Sequence, residues 1–380
     1  MKVLSLNCGS SSLRWGLYEV AEERELAAGN VEEAHDPNLA WKLTRKALDG
    51  LSRDIAPDAI GHRVVHGGER FSDSVRIDDD VIRAIEAQVP LAPEHNPRCL
   101  LGIRQAQRIF PNVPHVAVFD TAFHQTMPPE AYLYALPFEL FERDRIRRYG
   151  FHGTSHRFAA ERAACLLELP IAELTCVICH LGNGCSIAAV NHGRCVDTSM
   201  GMTPLEGLMM GTRSGDVDPA VVLELAARAE FGPEGVARML NRDSGLLGVS
   251  GVSSDMRQVE IAATEGNERA QLALDLFAHH VRRGIGSALG VLGGADAVIF
   301  TGGIGEHAAV MRERIAGGLS GLGMTLDTEA NCECVGREGR ISTSASRVAL
   351  FVIPAREEWL IARETNATLA GRLDGVEHGI

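Results

Sequence analysis

The chain has 380 residues, 45% of them hydrophobic and 23% charged, with a formal net charge of −13 and nine cysteines. That length exceeds one ordinary core and suits two domains, and the negative balance disfavours nucleic acid, whose phosphates need a concentrated basic surface. No apolar run reaches the ~18 residues that cross a bilayer, and the N-terminal apolar segment is too short for a signal peptide, which makes the cytoplasm the default compartment and a membrane partner unexpected.

The opening stretch, residues 1–18, reads as strand, loop, strand, with Asn7, Gly9 and Ser10 to Ser12 at the turn. A polar, mostly helical segment follows from about Pro37 to Arg53, built around Trp41, Leu43 and Leu48. Residues 59–69 then give a strand ending in a glycine turn, with Arg63 and His66 at its edge. An arginine there either clamps an anion or makes a surface salt bridge. Residues 91–97 form a proline-bounded loop before a helix running to about Phe110. The next strand, from His115, delivers Asp120 at its C-terminal end, the end that faces ligands in open α/β sheets. A carboxylate so placed serves as a catalytic group, a metal contact or a helix cap.

The charged run 142–148 reads as a connector and places a domain boundary before Tyr149. Ser155 is a candidate cap for a helix carrying Phe158, Ala159, Arg162, Ala163 and Leu166 at helical spacing. Residues 175–190 repeat the opening pattern, two β-prone runs around His180, Gly182, Asn183 and Gly184, and two such hairpins suggest a duplicated domain. Glycines at these turns let main-chain N–H groups approach an anion such as phosphate. In the same hairpin Cys176 and Cys179 form a CxxC, but an odd separation in a strand points the thiols to opposite faces, so both are expected in the core.

Residues 197–219 show little periodicity, and so long an irregular segment inside a compact domain is usually functional, with Arg213 its natural cation. A second glycine-rich loop spans 244–257 and ends in Asp255 and Arg257. Leu274, Phe277, Val281, Ile285, Ala288 and Leu292 recur at three and four, predicting a long core or interface helix over about 268–292. A buried-type strand then runs into Gly302, Gly303 and Gly305, with helix expected from Ala308, an arrangement that sets backbone donors beside a nucleotide. After a last strand at 348–354, Glu357 and Glu358 open a C-terminal helix, either as dipole-favoured residues or as ligands of Mg²⁺.

Three glycine loops, oxygen ligands for a hard cation, and Arg63, Arg213, His152 and His180 together make a phosphoryl-transfer inventory, since that reaction depends on neutralising and aligning the transferred group. In residues 7–13, 61–69, 118–129, 149–156, 180–184, 197–219 and 303–306 the chain resembles the acetate kinase family, with the likeness extending from Val3 to about Thr365. The resemblance implies a duplicated α/β fold of actin-like, ribonuclease H-like domains, with mixed sheets flanked by helices and the active site in the cleft between them. The domains would cover 1–148 and 149–358, with a C-terminal helix, 359–380, packing back onto the first. It also implies reversible, Mg²⁺-dependent transfer from ATP to acetate, giving acetyl phosphate and ADP, with Mn²⁺ as an alternative ion and a homodimer as the assembly.

Carried over by position, the resemblance makes Asn7 and Glu357 metal contacts, Arg63 the carboxylate clamp, and Asp120, His152 and Arg213 the catalytic set. Val65, Glu94, Phe151 and Pro204 would wall the acyl pocket. Ser10, Ser12 and Arg14, the hairpin His180, Leu181, Gly182, Asn183 and Gly184, the segment Asp255, Met256 and Arg257, and the turn Gly303, Ile304, Gly305, Glu306 and His307 would hold the nucleotide. Because acetate is already ionised, Asp120 need not remove a proton and is expected to orient Mg²⁺ or the arginines. Four departures stand out: Arg14 for lysine, His307 for asparagine, Ala355-Arg356 for Thr-Asn, and Glu94 for leucine. A carboxylate facing acetate would repel it, so an altered acyl preference is expected unless Arg98, four residues on and also unusual, neutralises Glu94 or the segment turns it to solvent. The competing readings are a propionate or butyrate kinase, a different phosphoryl donor, and an actin-like nucleotide switch without carboxylate chemistry.

Overall fold

Continuous apolar runs bounded by glycine and polar turns form the central strands of two mixed sheets, each six-stranded, in a computed structural model that describes residues 1–8, 12–32, 46, 56–93 and 95–371. The chain divides into two units, one formed by Met1–Gln125 with the stretch beginning at Arg356, the other by Thr126–Ala355. The first division falls before the charged run 142–148, and the second falls just before the C-terminal helix.

In the first unit, β1 (Lys2–Cys8) pairs antiparallel with β2 (Ser12–Glu19), which pairs with β3 (Arg24–Glu32). On its other side β1 runs parallel to β4 (Ala59–Val64), and β4 to β6 (His115–Phe119), with β5 (Val75–Arg76) antiparallel at the edge. Val3, Leu4, Ile60 and Val116 are fully buried, as near-continuous apolar strands covered on both faces require. One cover is the helix Asn96–Ile109 and the other is the C-terminal helix Glu357–Leu369, which packs on β1, β2, β4 and β6. Ile361 on that helix meets Val116 and Val118, a burial that contributes about 1.5–3 kcal/mol. Gly61 makes the approach feasible: a Cβ there would lie 2.3 Å from Thr365 Oγ1 and 2.7 Å from Ile361 Cγ2.

The second unit repeats the topology. Its sheet runs β9 (Arg194–Thr198), β8 (Cys185–Asn191), β7 (Cys176–Leu181), β10 (Ala297–Thr301), β12 (Ala349–Val352), β11 (Gly339–Arg340), matching the order β3, β2, β1, β4, β6, β5 strand for strand. The directions match as well: β7, β10 and β12 are parallel neighbours, while β8, β9 and β11 pair antiparallel. The duplication inferred from the two hairpins is therefore present in both sheets. The helix Glu268–Leu292 covers β7, β8 and β9 and buries Leu274, Phe277, Val281, Ile285 and Ala288, while Leu292 marks its last turn.

Several local expectations change. The segment expected over 37–53 lies, apart from Lys46, outside the described residues. Ser155 does not cap the helix Gly153–Leu166; His152 holds that position in a left-handed conformation at φ 59°. The third glycine element is itself a short helix, Gly302–His307, because Gly302 at φ 77° turns the chain off β10 against the backbone of Leu181. The 244–257 loop is likewise interrupted by the helix Gly245–Ser250. Cys176 and Cys179 are buried free thiols, and residues 199–218 are irregular, as expected.

Candidate active site

In the first unit the C-terminal ends of three adjacent parallel strands present Asn7, Arg63 and Asp120, and the C-terminal helix brings Glu357 and Glu358 to them. Arg63 Nε donates to both oxygens of Asp120 at 3.0 Å, and its Nη1 donates to Asn7 Oδ1 at 3.0 Å. Asn7 Nδ2 in turn donates to Glu357 Oε2 at 3.0 Å and to Glu358 Oε1 at 3.2 Å. The Asp120 side chain is fully buried. Burial opposes the Arg63 charge, but the carboxylates of Asp120 and Glu357 outweigh it and hold the guanidinium firmly ionised. Glu358 is pushed the other way, upward, first by burial and then by the neighbouring Glu357 charge. Arg14 stands opposite Asn7 in the hairpin register, exposed, and its charge partly relieves Glu358.

The second unit assembles three imidazoles around two hydroxyls. His152 Nδ1 lies 2.9 Å from Ser186 Oγ, His156 Nε2 lies 2.8 Å from the same oxygen, and His180 Nδ1 lies 2.8 Å from Ser155 Oγ. The His152 and His180 rings stack with centroids 4.2 Å apart. Arg213 is anchored by an Nη1 hydrogen bond to the Pro204 carbonyl at 3.1 Å. His152 and Arg213 converge on the hairpin tip: a Cβ on Gly184 would lie 3.3 Å from His152 Nε2 and 3.4 Å from Arg213 Nη1. Sequence reasoning singled out His152, His180 and Arg213 but passed over Ser186 and His156, whose signals were the β7–β8 register opposite His180 and the four-residue spacing from His152.

Of the nucleotide candidates, Gly182 and Gly303 are neighbours, a Cβ on Gly182 coming 4.0 Å from Gly303 N. The Gly182 N–H is engaged inside the hairpin, donating to Gly184 O at 3.0 Å, and the Asn183 carbonyl accepts from Gly211 N at 3.0 Å. Leu181 is buried at the end of β7. Asp255 caps the helix Met256–Thr264, accepting from Arg257 N at 2.9 Å, and its carboxylate also takes the exposed Arg257 guanidinium, a pairing that holds its pKa down. Met256 is buried beneath them. Glu306 Oε1 accepts from Ala355 N at 2.9 Å, Ile304 is half-buried, and His307 Nδ1 lies 3.1 Å from Gly303 O.

The Gly302–His307 helix has an anchor that sequence reasoning missed. Arg312, fully buried, donates to the carbonyls of Gly305, Glu306, Asn331 and Cys334 and to Asn331 Oδ1, all between 2.7 and 2.9 Å. Of the acyl-pocket candidates, Val65 is buried in the first unit, and Phe151 is buried and Pro204 half-buried in the second. Ser10, the Ser12 side chain and Glu94 lie outside the described residues.

The sequence profile of the acetokinase family matches residues 38–363. The acetate kinase of Halothermothrix orenii is 49% identical over 96% of this chain and 98% of its own length, and that of Caldanaerobacter subterraneus is 48% identical over 98% and 100%. Among solved structures, Porphyromonas gingivalis acetate kinase superposes with a TM-score of 0.90 at 41% identity, covering 97% of this chain and 99% of that one. A Francisella tularensis propionate kinase gives 0.88 at 40% identity, covering 96% and 99%. With its profile, its relatives and both of its sheets in agreement, this chain belongs to the acetokinase family.

Proposed function

We propose that this protein is an acetate kinase, transferring the γ-phosphoryl group of ATP to acetate. An acetate oxygen forms a bond to the γ-phosphorus as the bond to the β–γ bridging oxygen breaks, giving acetyl phosphate and ADP with no proton to remove. The observation that carries the reading is the hydrogen-bonded chain Asp120–Arg63–Asn7–Glu357/Glu358. It supplies an oriented cation for a carboxylate beside a carboxylate pair suited to a metal.

Asp120, buried and bidentate on Arg63, fixes the guanidinium fork, so that Arg63 can receive the acetate carboxylate without reorganising. His152 Nε2 and Arg213 Nη1, converging at Gly184, donate to the equatorial oxygens of the phosphoryl group in flight. The glycine turns at 180–184 and 303–307, with 255–257, contact the nucleotide in the second unit; Ser10, Ser12 and Arg14 are further candidates that the family resemblance assigns. Val65 in the first unit and Phe151 and Pro204 in the second are the acyl-group candidates that the family resemblance assigns, with Glu94 outside the described residues.

The donor set fits Mg²⁺. Glu357 and Glu358 are like charges in close quarters, and Asn7 Oδ1 keeps a second lone pair beyond the one Arg63 uses. Mg²⁺ commonly relies on one or two carboxylates plus substrate phosphates. Asn7 and Glu357 would hold the ion, which when bound neutralises phosphate charge; Mn²⁺ satisfies the same oxygens.

We further propose a homodimer and a cytoplasmic location, the latter following from an ATP-consuming reaction on a free carboxylate. No helix among the described residues is long and apolar enough to cross a membrane. The helix Pro219–Ala227 supports the dimer: it buries none of its residues in its own chain, with Leu223 71% and Val221 46% exposed. A second copy is the occupant that would cover it. The 40% identity to a propionate kinase keeps a longer acid as the second reading, tied to Glu94.

The test is an assay in both directions, ATP with acetate, propionate or butyrate and ADP with acetyl phosphate, the acyl phosphate being trapped as hydroxamate. Acetate turnover with Mg²⁺ establishes the activity. A preference for a longer acid that Glu94→Leu reverses establishes the second reading. ATP hydrolysis without acyl phosphate refutes both.

A further inference from the structure

We propose that the Ser186 hydroxyl is a positioning group that locks His152 and His156 into one shared tautomer, each protonated on Nε2 and bare on Nδ1, so that His152 acts as an uncharged donor. The inference rests on the reading of His152 as a phosphoryl-oxygen donor. Ser186 is fully buried in β8, and its oxygen lies within hydrogen-bond distance of two imidazole nitrogens, His152 Nδ1 at 2.9 Å and His156 Nε2 at 2.8 Å. A hydroxyl has one proton to give, and leaving it unmatched in the interior is costly. It therefore donates to one ring and accepts from the other.

Only two neutral arrangements satisfy that constraint, because the rings meet the hydroxyl through different nitrogens. If Ser186 donates to His156 Nε2, it must accept from His152 Nδ1–H, both rings carry their proton on Nδ1, and His152 Nε2 presents a lone pair. If Ser186 donates to His152 Nδ1, it must accept from His156 Nε2–H, and His152 Nε2 is then an N–H. Mixed tautomers are excluded by the geometry.

The surroundings of His152 Nε2 select the second arrangement. That nitrogen and Arg213 Nη1 both lie within 3.4 Å of the position a Gly184 Cβ would take. A lone pair there would repel a phosphoryl oxygen that the arginine attracts, and a second full cation on His152 would repel the guanidinium. A neutral Nε2–H supplies the donor without either conflict. His156, which need not touch substrate, thereby decides through Ser186 which nitrogen of His152 carries the proton.

The experiment is a set of long-range proton–nitrogen correlation spectra on the full-length protein with nitrogen-labelled histidine, rings assigned through His152→Gln and His156→Gln. The proposal expects both rings protonated at Nε2 and bare at Nδ1 at neutral pH. Both protonated at Nδ1, opposite tautomers, or a doubly protonated His152 would overturn it. In Ser186→Ala, His152 should lose its single tautomer while kcat falls about tenfold, the worth of one well-made hydrogen bond, with KM for ATP little changed. A fall in kcat with His152 still locked would make Ser186 merely structural and sink the idea. His156→Gln, whose amide N–H can replace Nε2–H, should hold His152 in the proposed tautomer, and His156→Leu should not; equal spectra for the two would also count against it. Full turnover by His152→Gln would remove the reading of His152 as a donor, while the wild-type spectra would still report the tautomer independently.

Discussion

Gly184→Ala should damage turnover while leaving the fold intact. The added Cβ would meet His152 Cε1 and Nε2 at 3.3 Å, tighter than side chains normally pack, so the imidazole must withdraw by a few tenths of an ångström, while Arg213 Nη1 at 3.4 Å comes into ordinary contact. Gly184 is not among the glycines with positive φ, so alanine adds no backbone strain there. Misplacing catalytic groups by about 1 Å costs on the order of a hundredfold, and a shift of about a third of that at His152 should lower kcat roughly fivefold. Gly182→Ala is the matched comparison. Its Cβ would meet nothing nearer than Gly184 O at 3.4 Å, but it would occupy space beside Gly303 N, within the proposed nucleotide site. That variant should raise KM for ATP with a smaller change in kcat. Steady-state kinetics with varied ATP and saturating acetate, alongside thermal unfolding of each variant, separates the two effects. Wild-type kcat in Gly184→Ala, or identical kinetic signatures for both variants, would refute the convergence of His152 and Arg213 as the source of transition-state stabilisation.

Asp120→Asn should abolish most activity and cost about 3–5 kcal/mol of stability, because it leaves the Arg63 guanidinium without its buried counter-charge; a melting temperature equal to wild type would contradict this. Arg213→Ala should reduce kcat on the order of a hundredfold, roughly 3 kcal/mol of transition-state stabilisation, with KM for acetate little affected. Arg312→Met strips donors from four buried carbonyls and should lower stability by about 3–5 kcal/mol while raising KM for ATP, since the Gly302–His307 helix loses its brace. The raised pKa of Glu358 means that its ionised form opposes folding, so its contribution is favourable at low pH and is lost as pH rises through the folded-state value. Glu358→Gln should therefore raise the melting temperature at neutral pH without Mg²⁺, and the gain should vanish as pH falls below the ordinary glutamate range. Leu223→Glu should convert the proposed dimer to monomer in sedimentation experiments.

The paired hairpins were legible in the sequence because each is a short apolar run, a polar glycine turn and a second apolar run, and pairing β1 with β2 or β7 with β8 needs no distant information. Asp120 and Arg63 were likewise visible as polar residues ending apolar strands. Their mutual hydrogen bonds were not, because the parallel β4–β6 register that joins them depends on chain folding over many intervening residues. The glycine run after β10 was misread as open loop since its helical turn depends on Arg312, a residue that local propensity would send to solvent. Ser186 looked like an ordinary strand residue, and only the helix Gly153–Leu166 lying against β7 gives its hydroxyl two imidazoles to serve.

The placement of the C-terminal helix has a consequence for biosynthesis. Gly61 and the face formed by β1, β4 and β6 are covered by Ile361 and Thr365, yet roughly 230 residues separate Gln125 from Glu357. At ribosomal rates the N-terminal sheet waits on the order of ten seconds to a minute, one apolar face uncovered, while the second unit is made and can fold ahead of it. Glu357 and Glu358 arrive with the same helix, so a nascent or prematurely terminated chain lacks both the cover of its first sheet and the carboxylates beside Asn7. Loss of a few dozen residues from the end of translation would strike the part of the molecule that was synthesised first.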